Sequence, residues 1–159
     1  MENNKFLKLH SLIRMAAALI AIVVFISMFY SVQIVHSEFD NMKFTWTETF
    51  FGGETSKPTV LGFIGYLFIL LGGLAGLAFV FIDELIGKDL TKTLSYVAGG
   101  LMILGGIFMV LTGVIFRGVN NAPAIGDYHL AAAPIVFAIL GMFAGAADVA
   151  AVILEDKGF

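Results

Sequence analysis

The chain contains no cysteine, and only 13% of its 159 residues are charged. Soluble globular domains carry about 25% charged residues. Without cysteine there is no disulfide framework, no dithiol relay, no thiolate-held iron–sulfur cluster and no thioester nucleophile. The formal net charge of −3 does not supply the basic surface that nucleic-acid binding needs. These absences exclude nucleic acid as a partner and leave the apolar residues as the main source of information.

Hydrophobic residues make up 59% of the chain, which also has 18 glycines. A helix needs about 20 apolar residues to cross about 30 Å of hydrocarbon. Four stretches meet this requirement, at about 12–35, 60–82, 94–116 and 130–154. They lack the alternation of barrel strands, so helices are expected. The sequence therefore predicts an all-α fold, a single integral membrane domain in which four helices form a bundle in the lipid bilayer.

The distribution of positive charge predicts the orientation of this bundle. Lys and Arg are more frequent on the side of the termini and the loop at 83–93 than in the loops at 36–59 and 117–129. Cytoplasmic loops carry the excess of Lys and Arg. We therefore expect both termini in the cytoplasm and the other two loops outside. Neither outer loop holds an N-x-S/T glycosylation acceptor, and the simple topology favours a bacterial inner membrane.

Glycines concentrate in the last three predicted spans. Small residues let membrane helices approach closely, and G-x-x-x-G is a frequent contact motif. Two interpretations follow, either tight packing within one bundle or a face for another subunit, as a homo-oligomer or in a larger complex. Gly72 and Gly76 form one such motif, and Gly141 and Gly145 form another. Gly99, Gly106 and Gly113 recur every seven residues and so lie on one helix face.

The first outer loop has the alternation of a strand. Met42, Phe44 and Trp46 alternate with polar residues, and Phe50 and Phe51 precede a Gly-Gly turn. This pattern predicts a short β-hairpin on the membrane surface. The aromatic residues would either anchor the chain at the interface, or pair with a neighbouring copy or another partner.

Four spans, two inner termini, a longer strand-like first outer loop with Trp46 and a short second outer loop resemble the claudin-type tetraspan architecture. The paired loop cysteines and the W-G-L-W signature of that family are absent from this sequence. The resemblance therefore implies an architecture and transfers no function.

Two ionisable residues lie within predicted spans, Arg14 in the first and Asp148 in the fourth. An ionisable residue inside a membrane is a functional hypothesis by default. With both termini on one side, the two residues reach similar depths. They are expected either to form a structural ion pair that joins the first helix to the last, or to form a proton or cation site in which Asp148 titrates.

The remaining polar residues indicate little chemistry. His36 and His129 lie at the outer surface, where they are interfacial histidines or weak candidate ligands of a haem or metal. No nucleophile motif, zinc-protease motif or phosphate loop is present. We therefore expect no enzyme, no cofactor and no metal.

These observations predict a small structural, scaffold or accessory subunit that assembles through its glycine-rich faces and first outer loop. The alternative is a transporter or channel subunit with Asp148 as an intramembrane proton or cation site. A haem-binding membrane subunit is the third hypothesis.

Overall fold

The computed structural model describes residues 8–31, 33–37, 42–120 and 128–157, apart from the side chains at positions 83 and 84. About 80% of the structure is helical. In chain order the elements are α1 (Leu9–Tyr30), β1 (Val35–Ser37), β2 (Lys43–Phe44), α2 (Trp46–Phe51), α3 (Leu61–Ile86), α4 (Lys88–Val119), β3 (Tyr128–Leu130) and α5 (Ala132–Asp156).

Four of these helices, α1, α3, α4 and α5, are long and apolar enough to cross a membrane. Both α1 and α4 pack against α3 and against α5, so the four helices follow one another around a bundle. One end of the bundle, which we call the termini end, holds the start of α1, the α3–α4 connection and the end of α5. The opposite end, the sheet end, holds the three strands and α2.

The first long helix ends at Tyr30, whereas the hydrophobic run predicts an end near residue 35. The last residues of that run belong to the sheet, since Ile34 donates its backbone N–H to Phe44 O at 2.7 Å and Val35 begins β1. Apolar content alone does not distinguish the end of a helix from a following buried strand.

The predicted inner loop at 83–93 is almost entirely helical. Gly87 alone separates α3 from α4, and its φ of +85° is in the region that glycine adopts without strain. Asp89 in the first turn of α4 favours a helix start, because a negative charge is stabilising near a helix N-terminus. With 32 residues, α4 is about 48 Å long, so it exceeds the hydrocarbon thickness.

Both loops at the sheet end contribute to one small antiparallel sheet, in the order β2-β1-β3. Val35 is opposite Phe44 on one side and Leu130 on the other. Beneath the sheet, the rings of Phe44, Phe116 and Tyr128 lie with centroids 5.0 to 5.6 Å apart. The strand from the second loop, β3, is absent from the sequence prediction, which is all-α with one hairpin.

The expectation that the strand pattern continues to Trp46 is wrong. The strand ends at Phe44, and Trp46 begins α2. A capping box causes this change, because the Thr45 side chain and the Glu48 side chain each bond the backbone N–H of the other residue. The sequence Thr45-x-x-Glu48 is the signal that could have predicted this short helix.

Candidate functional site

The two ionisable residues singled out by the sequence lie together inside the bundle. Arg14 on α1 and Asp148 on α5 are each about 2% exposed, and Arg14 Nε lies 4.0 Å from Asp148 Oδ1. Arg14 also donates from Nη2 to Glu155 Oε2 at 3.0 Å. The Glu155 side chain is 34% exposed, so this group of three connects the bundle interior with the surface of the termini end.

The guanidinium therefore bonds the outer carboxylate and only approaches the inner one. A charge-assisted N–H···O bond has a length of about 2.7–2.9 Å. The Arg14–Asp148 separation is far longer than this, and both carboxyl oxygens of Asp148 lack a hydrogen-bond partner among the described residues. Arg14 Nε and Ser95 Oγ are buried without such a partner as well. Within the described part of the chain, Asp148 thus has an opposite charge nearby but no donor bonded to it.

The third helix shapes the space that holds the Asp148 carboxyl group. A Cβ added to Gly76 of α3 would lie 2.9 Å and 3.0 Å from the two carboxyl oxygens. Only a glycine lets the carboxyl group approach the α3 backbone this closely. Arg14, Asp148 and Gly76 therefore define a site, which we call the carboxyl site, where α1, α3 and α5 meet. Chemically, it can accept a proton or a small cation.

Sequence reasoning missed Glu155 as a member of this group. It follows Asp148 by seven residues, or about two helical turns, so both side chains lie on the same face of α5. This spacing is the signal that could have placed Glu155 beside Arg14. Its position at the end of the predicted span made it look like an ordinary charged terminus.

The structure places the predicted packing glycines in contacts within the bundle. A Cβ on Gly99 would lie 2.8 Å from Gly145 O, and a Cβ on Gly145 would lie 2.6 Å from Gly99 O. Gly72, Gly106, Gly113 and Gly141 are likewise buried against Ala98, Ala138, Leu130 and Ile69 respectively. These close approaches join α3, α4, α5 and β3 within one bundle.

The five predicted interaction residues of the first outer loop fall into two groups. Phe44 and Phe50 are buried in the core. Met42 and Phe51 are exposed, and Trp46 packs partly against the core. Trp46 contacts Phe29 of α1 and Phe51, with ring centroids 5.1 Å and 6.2 Å apart, so an aromatic surface connects α1 with α2.

His36 and His129 are directly opposite each other on β1 and β3, with ring centroids 6.0 Å apart. Nδ1 of His36 is buried without a described hydrogen-bond partner. Two imidazoles are an incomplete ligand set, because structural metal sites use about four ligands. The described part of the chain contains no group of three or more His, Cys, Asp and Glu that could hold a metal.

Comparison with known proteins adds no relative. No family model, no curated protein and no solved structure matches this chain. The function must therefore be inferred from the geometry described above.

Proposed function

We propose that this chain is a membrane protein that binds a proton or a small cation at Asp148, as a subunit of a transporter or channel. The observation that carries the proposal is the buried Asp148 carboxyl group, to which no donor of the described residues is bonded. A charged residue at the centre of a membrane helix costs about 2.5–3.5 kcal/mol on insertion scales. Binding a proton or a cation would offset this cost.

The arrangement of Arg14 and Glu155 supports access from the termini end. Asp148 lies eight residues from the end of α5, which corresponds to about 12 Å along the helix. Glu155 lies between it and the surface and bonds the shared guanidinium. When a proton or cation reaches Asp148, Arg14 can pair more fully with Glu155. On departure, the guanidinium can move towards Asp148.

The orientation and the membrane belong to the same proposal. The excess of Lys and Arg at the termini end favours a cytoplasmic location for that end, in a bacterial inner membrane. A proton or cation would then reach Asp148 from the cytoplasm. Passage across the whole membrane would need a second copy or another subunit, since the four helices pack closely around one another.

Infrared difference spectroscopy of protein reconstituted in lipid tests the proposal directly. In a pH titration we expect a C=O band from one protonated carboxyl group that is shielded from water. This band should be absent from the spectrum of Asp148→Asn. The control is Asp156→Asn, which removes a surface carboxylate paired with Lys92 and is expected to leave that band unchanged. Proton or cation flux into vesicles is expected to fall in the first variant and to persist in the second.

The outcome for Asp148→Asn separates the two interpretations of the buried pair. A folded, normally assembled variant without flux supports the binding site. A variant that cannot fold means that the pair is a structural connection between α1 and α5, and this result contradicts the proposal.

A structural or accessory subunit is the second candidate. Its support is the aromatic surface formed by Phe29, Trp46 and Phe51, in which Phe29 and Phe51 are about half exposed. Aromatic residues are enriched in protein interfaces as well as in membrane interfaces. Replacing Phe51 with Ala is expected to weaken association with a copy or a neighbouring subunit, measured as loss of a cross-linked band. The matched control is Phe143→Ala, which truncates an exposed phenylalanine on α5.

A further inference from the structure

A groove of about 650 Å³ opens between α1 and α5 at the sheet end, beside β2. Its volume falls within the range of about 300–1,000 Å³ that is usual for ligand sites. It lies at the opposite end of the bundle from the carboxyl site, and none of its lining residues belongs to that site. Ala131, Ala132 and Ala133 line one side, and their small side chains leave the space open.

The walls along the helices are apolar. Val23, Ile26 and Tyr30 line the groove from α1, and Phe137 lines it from α5. From Val23 to Tyr30 the wall extends about 10 Å along the helix. These residues belong to helices that are apolar enough to cross a membrane, so the groove would face hydrocarbon over this length. Such a surface fits an alkyl chain.

The end of the groove nearest the sheet is polar, and not all of its polar atoms have hydrogen-bond partners among the described residues. The hydroxyls of Ser27 and Ser31 donate to backbone oxygens of α1, at 2.6 Å and 2.8 Å. Gln33 Oε1 is buried and has no hydrogen-bond partner among the described residues. Lys43 lines the same end and supplies a positive charge. A ligand here should therefore carry an anion for Lys43 and a hydroxyl or amine donor for Gln33.

We propose that this groove binds one anionic glycerophospholipid whose headgroup carries hydroxyls, with phosphatidylglycerol as the representative. Its acyl chain lies along Val23, Ile26 and Phe137, and its phosphate faces Lys43. Rotation of the Gln33 amide towards the groove lets a headgroup hydroxyl donate to Oε1. A buried acceptor without a donor is costly, so such a hydroxyl would stabilise the complex. An apolar helix of a second copy would fill the same space without satisfying either polar group.

Native mass spectrometry of the full chain tests the proposal. Delipidated protein is mixed with equal amounts of phosphatidylglycerol and phosphatidylcholine that carry the same acyl chains. We expect one tightly bound phosphatidylglycerol per chain and an excess over phosphatidylcholine. Lys43→Gln is expected to reduce this excess about fivefold, the factor that one lysine supplies at an anionic membrane surface. Lys57→Gln, outside the groove, is the matched control and is expected to keep the excess.

A second variant tests the location without changing charge. Ala133→Phe fills the groove from an exposed position and is expected to remove the bound lipid. Val136→Phe places the same side chain on an exposed position of α5 outside the groove and is expected to keep it. Equal binding of the two lipids by the wild-type chain would overturn the proposal, as would full lipid retention by Ala133→Phe. Loss of a dimer in Ala133→Phe, with no lipid bound to the wild-type chain, would also overturn it and identify a second copy as the occupant.

Discussion

The two ends of the bundle are stabilised by different kinds of contact. At the termini end, Arg14, Asp148 and Glu155 connect α1 with α5 by buried or half-buried charges. At the sheet end, Phe44, Phe116 and Tyr128 pack beneath a sheet to which both loops contribute. A buried charge that loses its partner costs much free energy, whereas the stabilisation from aromatic packing is the sum of many small contacts. A single substitution should therefore disturb the termini end more than the sheet end.

The largest loss of unfolding free energy is expected for Arg14→Met. It leaves Asp148 and Glu155 without their guanidinium, and breaking a buried pair in this way costs about 3–5 kcal/mol. The measurement is the free energy of unfolding in mixed micelles. Lys92→Met is the control, because Lys92 and Asp156 are both more than 40% exposed and an exposed pair contributes about 0–1 kcal/mol. Equal losses in the two variants would mean that the buried group of Arg14, Asp148 and Glu155 does not stabilise the termini end more than an exposed pair does.

The second largest loss of unfolding free energy is expected for Gly105→Ala, which adds a methyl group where two helices touch. A Cβ on Gly105 of α4 would lie 2.5 Å from Gly65 O of α3, so Gly105→Ala must push the two backbones apart. Such overpacking costs about 1–3 kcal/mol. Gly100→Ala is the control on the same helix, since nothing lies within 4 Å of its added Cβ, and a change within about 0.5 kcal/mol is expected. The same unfolding measurement distinguishes them. If Gly100→Ala were the more damaging of the two, the assignment of Gly105 to the helix contact would be wrong.

Removal of the capping box should have a smaller, local effect at the sheet end. Thr45→Ala removes the side chain that accepts from Glu48 N, and loss of such a cap costs about 1 kcal/mol. Hydrogen exchange should increase in α2 and remain unchanged near Arg14. Thr47→Ala removes the neighbouring, exposed hydroxyl and is expected to have little influence. Increased exchange throughout the bundle would mean that the two ends do not respond independently.

The smallest effect is a pH dependence at the sheet end. Bonds from the Thr45 backbone N–H and hydroxyl lower the pKa of Glu48 below its ordinary value of 4.5. A lowered pKa in the folded state means that the carboxylate stabilises α2 above the ordinary pKa. This contribution is lost as pH falls through the lower folded-state pKa. Trp46 fluorescence should report the transition, and Glu48→Gln should remove it. A transition that persists in Glu48→Gln would assign it to another group.

The sequence predicted the long helices more reliably than the connections between them. Each long helix depends mainly on its own composition, because about 20 apolar residues in a row suit a membrane helix whatever their neighbours are. The loop at the sheet end depends on competing local signals. There, the Thr45–Glu48 capping box ends the alternation that predicts a strand, and the hydrophobic run of α1 continues past its end at Tyr30.

The candidate site divides in the same way. Arg14 and Asp148 were recognisable because a charge within an apolar run is conspicuous. Four spans place both termini on one side of the membrane, so the two residues were expected at similar depths. Glu155 was hidden at a helix end, where charged residues are ordinary. The partner of Gly76 could not be predicted, since a glycine in a membrane helix can approach any neighbour.

By itself, the sequence determined the four long apolar helices and the two ionisable residues inside them, since both follow from local composition. Only the tertiary structure decided that Arg14 bonds Glu155 rather than Asp148, that the glycine faces pack against one another, and that both loops share one sheet. It also formed the groove between α1 and α5. These features depend on distances between residues far apart in the chain, which helical periodicity and hydropathy do not specify.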